Sequence, residues 1–322
     1  MDWDLDSYFP AFDGPEMRRF KADLKADLDA LQSEALDTAA LDSGNQEAWE
    51  RIVLSFESAV TRLRHLGSYV SCITSADANN EDFAAEEGAL SLLDARMSKV
   101  HVELQRGFES PSDEDFETFV SRPALRDARY RISRIREQSR HTMSTEKEHL
   151  ASDLGVDGIE AWGRLYDRIS GKLTFKMAYP DGRREEIPMS QRRALMEHPD
   201  RRVRRAAFEG GNETWTSIET VPAAALNAIG GTRLTLYRHR GMDHYLDRAL
   251  FQAAISRETL EAMFEAVFAE IDVARSILAF KASLMGGENM GWYDISAPLT
   301  VPHQDEPSWD DATALVHRAF AA

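Results

Sequence analysis

The chain has 322 residues, of which 43% are hydrophobic and 29% charged, values typical of a folded globular protein. No apolar run approaches the roughly 20 residues of a membrane-spanning helix, and the acidic first ten residues lack the basic and apolar regions of an export signal. The net charge of −17 opposes binding to a phosphate backbone. These features predict a soluble cytoplasmic protein that binds neither nucleic acid nor membranes.

The negative charge is concentrated in the first third of the chain. Residues 1–120 contain 10 basic and 26 acidic side chains, whereas residues 121–322 contain 28 and 29. The single cysteine, Cys72, excludes an internal disulfide and agrees with a reducing compartment. Its position between Val70 and Ile73 predicts a buried, unreactive thiol.

The first half of the chain has the hydrophobic periodicity of amphipathic helices. Apolar residues recur at three- and four-residue spacing within 46–74, 90–104 and 125–135. No fixed-length motif recurs between these stretches, so a repeat-built solenoid is not supported. The pattern predicts a mainly α fold of long antiparallel helices.

One segment, residues 172–187, has the two-residue alternation of β-strands. Apolar side chains alternate with polar or small ones from Leu173 to Tyr179. Pro180-Asp181-Gly182 then predicts a turn, and the chain returns from Arg183 to Ile187. We therefore expect one small β-hairpin among the helices.

The hairpin also sets the predicted domain boundary, with an N-terminal helical domain at 1–170 and a second domain at 171–322. Helical periodicity resumes after it, and Pro222 predicts a helix start or bend. Ser256 is a predicted N-cap for one helix over 257–285, about 43 Å long at about 1.5 Å per residue.

The end of the sequence lacks the usual signals that stop a helix. After a proline-rich stretch, Ser308 is a predicted N-cap of a last helix. Its apolar stripe runs to Ala322 without a glycine or other stop. We therefore expect Ala322 to be a truncation point.

The histidines offer no complete metal site. His239 and His244 are five residues apart, which separates them by about 140° on a helix, and no H-E-x-x-H motif occurs. His141 and His149 are eight residues apart and could share a helical face, but no third ligand pattern accompanies them. The residues taken alone predict a large helical protein without a catalytic constellation.

Two arginine-rich stretches are candidates for a nucleic-acid-binding surface. Carboxylates are interleaved with them, which favours internal ion pairs. An arginine-rich RNA-binding module is the alternative, and its affinity would fall steeply with salt. The arginines concerned are Arg122, Arg126, Arg129, Arg131, Arg134, Arg136 and Arg140, then Arg192, Arg193, Arg201, Arg202, Arg204 and Arg205.

Several motifs, taken together and in order, resemble the oligoendopeptidase F branch of the thimet-like zinc metallopeptidases. Each motif is weak by itself, but their order and distances match that branch over nearly the whole chain. The resemblance is strongest from about residue 155 to 302. The motifs are Trp3–Asp6, Trp162–Tyr166, Asp200–Phe208, Leu226–Ile229, Tyr237–Asp247 and Trp292–Leu299.

This resemblance implies the N-terminal lobe of a two-lobed, ellipsoidal peptidase with a deep channel for short peptides. In that family a zinc ion held by H-E-x-x-H and a downstream Glu activates water. The present sequence does not contain that motif, so no zinc ligand or catalytic residue carries over. The implied function is the N-terminal portion of a zinc metalloendopeptidase, with this chain inactive by itself.

Three residues are candidates for the substrate channel or for a contact between lobes: Trp292, Tyr293 and Asp294. They match the family pattern, although the motif assigns them no catalytic role. A free-standing helical binding or scaffold protein without enzymatic activity is the alternative function. An expected apolar surface around Trp292, Trp309 and Phe320 would pack against the catalytic lobe.

Overall fold

A computed structural model describes residues 4–299 and 308–321. The described chain is mostly helical, as predicted, with one two-stranded antiparallel sheet. Trp3 of the first motif, and Pro302 and Pro307 of the proline-rich stretch, lie outside the described residues. No helix in the described ranges is long and apolar enough to span a membrane.

The helices before the sheet are α1 (Pro15–Asp37), α2 (Gln46–Ala76), α3 (Glu81–Glu109), α4 (Asp113–Val120), α5 (Arg129–Ser139), α6 (Thr145–Asp157) and α7 (Ile159–Gly171). The strands are β1 (Thr174–Ala178) and β2 (Arg184–Pro188). The helices after the sheet are α8 (Arg192–Met196), α9 (Arg201–Ile218), α10 (Thr220–His239), α11 (Asp247–Ala253), α12 (Arg257–Ala269), α13 (Ile271–Leu284) and α14 (Trp309–Phe320).

The chain divides into two compact units, and each unit takes two stretches of the sequence. The larger unit comprises Met1–Leu173 and Trp215–Thr259, and the smaller one comprises Thr174–Thr214 and Leu260–Ala322. The predicted domains are contiguous, 1–170 and 171–322, and that division stays a prediction.

In the larger unit, α1, α2 and α3 pack against one another as long antiparallel helices. Short connections join them, which is the usual arrangement of antiparallel neighbours. Asn80 caps α3, because its side chain accepts hydrogen bonds from the N–H groups of Asp82 and Phe83. α5 and α6 pack on α3, and α7 packs on α6 and α10.

Aromatic side chains fill the core where α2 meets the end of α3. Trp49 is fully buried, and its ring centroid lies 5.2 Å from that of Phe108. Its indole N–H donates to the carbonyl oxygen of Ala39 at 3.0 Å. Gly107 provides the space for this ring, since a Cβ there would lie 2.3 Å from two Trp49 atoms.

The smaller unit contains the predicted hairpin, which packs against α9. Phe175 faces Ile187 across the strands, and both are buried with Val203 of α9. The predicted turn closes at Gly182, whose φ of +91° is accessible to glycine at little cost. The alternation of side chains therefore predicted this element and its buried face correctly.

Two predicted caps are confirmed, but the single helix over 257–285 is wrong. The hydroxyl of Ser256 accepts from the N–H of Thr259, and that of Ser308 accepts from the N–H of Asp311. Between α12 and α13, Glu270 has φ −103° and ψ 8°, which interrupts the helix. The apolar pattern continues through this point because periodicity reports side-chain placement and not backbone hydrogen bonding.

Candidate functional site

The three predicted site residues form one short 3-10 turn in the smaller unit, Trp292–Asp294. The turn closes on itself at Gly291. The N–H of Asp294 donates to the Gly291 carbonyl at 2.9 Å, and the Asp294 carboxylate accepts from the Gly291 N–H at 3.0 Å. This local bonding holds the backbone of the turn in one conformation.

Asp294 is buried in an ion-pair network with two arginines of α9. Its carboxylate oxygens lie 2.9 Å from Nη2 of Arg201 and 2.9 Å from Nη2 of Arg204. Asp294 and Arg204 are each only 1% exposed. Because buried charges need partners, Asp294 and Arg204 depend on one another, whereas the Arg201 side chain is more than half exposed.

Arg204 also donates hydrogen bonds to backbone carbonyls on both sides of this network. It donates to the Tyr293 carbonyl at 3.1 Å and to the carbonyls of His198 and Pro199 at 2.8 Å each. One side chain thereby joins the turn before α9 to the Trp292–Asp294 turn. The network is therefore an anchor for the predicted site residues.

The network lowers the pKa of the Asp294 carboxyl below its ordinary value. Burial by itself raises this pKa, but hydrogen bonds from Arg201, Arg204 and the Gly291 N–H outweigh it. A carboxyl whose pKa is lower in the folded than in the unfolded state stabilises the fold above the unfolded value. That contribution is lost as the pH falls through the folded pKa.

The pKa shift predicts how the stability of an Asp294→Asn variant compares with the parent across pH. Well above about pH 4, the ordinary Asp value, the parent is more stable because its carboxylate is ionised and paired. The difference in the free energy of unfolding should shrink as the pH falls below about 4. Urea unfolding of both proteins from pH 7 to pH 3 measures it, and a constant difference would contradict the assignment.

Tyr293 and Trp292 take different positions from Asp294. The Tyr293 ring centroid lies 5.7 Å from that of Phe208, and the Arg201 guanidinium lies 5.2 Å from the same Tyr293 ring. Trp292 is 71% exposed. The turn thus exposes the Trp292 side chain, while the buried ion pairs of Asp294 hold the turn in place.

The helices that follow in the chain have little buried surface of their own. No side chain of α12 is buried, and Ala282 is the one buried residue of α13 within the described range. Large apolar side chains are exposed on both helices, as is common where a partner surface packs. These side chains are Met263, Phe264, Val267, Phe268, Val273, Ile277, Leu278, Phe280 and Leu284.

The described residues contain no group of three or more His, Cys, Asp or Glu side chains that could hold a metal ion. His149 lies 2.9 Å from the buried carboxylate of Glu103, and His244 caps a turn through its ring nitrogen to the N–H of Leu246. The side chains within 4–299 and 308–321 therefore do not fit a zinc site.

The predicted burial of Cys72 is wrong, because the side chain is exposed. Val70 and Ile73 are both buried on α2, whereas Ser71 and Cys72 face outward. Each residue turns about 100° along a helix, so a neighbour in sequence does not share a face.

Many arginines of the two arginine-rich stretches form ion pairs, as their spacing predicted. Arg129 pairs with Glu117 at 2.6 Å, and Arg205 pairs with Glu209 at 2.8 Å. Further pairs are Arg122–Glu50, Arg134–Glu137, Arg136–Asp113, Arg201–Asp294, Arg202–Asp200 and Arg204–Asp294.

The sequence indicated Asp294 as a candidate and placed Arg201 and Arg204 in an arginine-rich stretch, but it did not indicate that they pair with Asp294. Arg201 and Arg204 are three residues apart and so share a face of α9, a spacing that was available in the sequence. No sequence pattern near α9 indicates that this pair contacts a carboxylate about 90 residues away. The contact depends on how the chain folds back.

Comparisons with known proteins agree with the resemblance in the motifs. The family model described as oligopeptidase F matches residues 110–175, which run from the end of α3 into β1. No curated protein matches the chain significantly.

Two solved structures have a similar fold. The crystal structure of oligoendopeptidase-F from Enterococcus faecium matches with a TM-score of 0.77 and 18% identity, over 94% of this chain and 62% of that one. A "putative peptidase" from Chlamydophila abortus matches with a TM-score of 0.62 and 18% identity, over 99% and 53%. The chain thus spans less than two thirds of either structure.

The fold is therefore that of the N-terminal region of a helical peptidase. More specifically, the chain is similar to the N-terminal part of oligoendopeptidase F, in fold over most of its length and in sequence over residues 110–175.

Proposed function

We propose that this chain is the N-terminal, non-catalytic part of a cytoplasmic zinc metallopeptidase that hydrolyses short peptides. The observation that carries the proposal is the oligoendopeptidase F-like fold, combined with the family match at residues 110–175. The function of the intact enzyme is peptide-bond hydrolysis, and folded proteins are excluded from its channel.

The zinc chemistry belongs to residues outside these 322. The described side chains do not fit a zinc site, and the sequence lacks H-E-x-x-H. Zinc in such a peptidase supplies a polarised carbonyl and an activated water. The part that this chain plays is structural: it forms one wall of the peptide channel and a surface for the catalytic part.

The exposed apolar side chains of α12 and α13 are the surface for that contact. Phe264 and Phe268 stack with their ring centroids 6.1 Å apart, and both are exposed. Covering such residues removes apolar area from water, which contributes roughly 25 cal/mol per Å². Trp292, which is exposed, is a further candidate for that contact.

The first experiment measures zinc content and cleavage of a quenched fluorescent peptide. It compares the 322-residue chain with a longer product that continues through H-E-x-x-H. We expect zinc and chelator-sensitive cleavage in the longer product only. Chelator-sensitive cleavage by the 322-residue chain would contradict the proposal, and so would a natural stop codon directly after Ala322.

The apolar surface predicts a second result, on self-association. Changing both Phe268 and Ile277 to serine should reduce the association of the 322-residue chain without unfolding it, because both side chains are exposed. Leu154→Ser is the matched control, since Leu154 is equally exposed on another helix. Analytical ultracentrifugation measures this. Equal association of all three proteins would argue against this surface.

A further inference from the structure

The larger unit contains a cavity of about 370 Å³ between α2, α3, α5, α6 and the segment after α10. Its volume falls in the range of pockets that bind small molecules. Four arginines line it, Arg64, Arg131, Arg240 and Arg248, together with two carboxylates. The lining is thus predominantly cationic, although the protein as a whole has a net charge of −17.

Only one of the four arginines is neutralised by a carboxylate. Arg240 donates from Nε and Nη2 to the two oxygens of the buried Glu148, at 2.9 and 2.6 Å. Among the described residues, Arg64, Arg131 and Arg248 form no ion pair within 4 Å, although the charge of Glu148 also acts on Arg248. The cavity therefore contains cationic side chains that have no ion-pair partner.

The second carboxylate, Asp94, forms no ion pair with these arginines. Burial first and then the charge of Glu160 raise the pKa of Asp94 to about 6. No arginine is among the groups that shift this pKa, although a nearby guanidinium would lower it. Asp94 therefore does not neutralise the arginines of the cavity.

Two further side chains that line the cavity, His101 and Gln105, bear on which ligand it can bind. Burial first and then the charges of Arg131 and Arg248 lower the pKa of His101 to about 4, so its ring is neutral near pH 7. Gln105 is buried, and its amide Nε2 has no hydrogen-bond partner among the described residues. Buried amide donors are nearly always paired. An anion would satisfy both this donor and the arginines.

We propose that this cavity binds a small anion that carries a carboxylate or a phosphate group, held by Arg131 and Arg248 with Gln105 as a further donor. Guanidinium groups recognise both kinds of oxyanion through paired charge-assisted hydrogen bonds. This site lies in the larger unit and does not depend on zinc or on peptide hydrolysis. Its test is therefore independent of the proposed function.

Isothermal titration calorimetry with inorganic phosphate and with citrate, at constant ionic strength, tests the proposal. We expect the parent protein to bind at least one of them at millimolar concentration or below. Arg131→Gln and Arg248→Gln should each weaken binding by about tenfold or more, the scale of a lost hydrogen bond to a charged group. Arg126→Gln is the control, because Arg126 is exposed and does not line the cavity.

The two probes distinguish the ligand source: phosphate alone indicates a phosphate group, and citrate alone a carboxylate. Circular dichroism checks that each variant is folded. Should Arg248→Gln not fold, Arg131→Gln decides, since Arg131 is exposed at the cavity rim. Absence of binding to both anions, or equal weakening in the Arg126→Gln control, would overturn the proposal.

Discussion

Replacing Asp294 by alanine is expected to destabilise the smaller unit by about 3–5 kcal/mol, the usual cost of breaking a buried ion pair by removing one partner. The substitution leaves Arg204, which is 1% exposed, without its counter-ion. It also removes the acceptor for the Gly291 N–H, so the Trp292–Asp294 turn loses one of its two closing hydrogen bonds. Chemical denaturation followed by circular dichroism measures the change in the free energy of unfolding.

The matched control for Asp294→Ala is Glu209→Gln. Glu209 accepts from Arg205 at 2.8 Å on the same helix, α9, but both side chains are exposed. Exposed pairs of this kind contribute at most about 1 kcal/mol, so the control should be nearly neutral. A similar loss in the free energy of unfolding in both variants would mean that burial does not increase the stabilisation by the Asp294 ion pairs.

The second large effect is expected from Gly107→Ala in α3, which is compared with the same substitution at Gly88 of that helix. Gly107→Ala should destabilise the protein by about 2 kcal/mol, because its Cβ would lie 2.3 Å from the ring of Trp49. The ring cannot easily move away, since it is fully buried and its N–H is bonded to Ala39. The overpacking outweighs the helix propensity that alanine gains over glycine.

Gly88→Ala should have the opposite sign. A Cβ at Gly88 meets nothing within 4 Å, so the helix gains up to about 1 kcal/mol from the higher propensity of alanine. Thermal unfolding of the two variants and the parent measures both effects. Two changes of the same sign would contradict the packing described for Trp49.

The described helical framework followed from local sequence. Hydrophobic periodicity predicted α2 with Trp49 and Ile52 on its buried face, and alternation predicted the hairpin with Phe175 buried. Serines at 256 and 308 marked helix starts because their hydroxyls bond N–H groups three residues later. Such features depend on neighbours within a few residues, and for that reason the sequence alone could determine them.

The candidate sites and several details were decided only by the tertiary structure. Asp294 meets Arg204 across 90 residues, and the cavity brings Arg131 of α5 beside Arg248 of α11. The exposure of Cys72 and the break at Glu270 likewise differ from the predicted pattern. Hydrophobic periodicity predicts which residues face a core. Which distant side chains meet is decided by how the helices pack, and the spacing of residues along the sequence does not specify it.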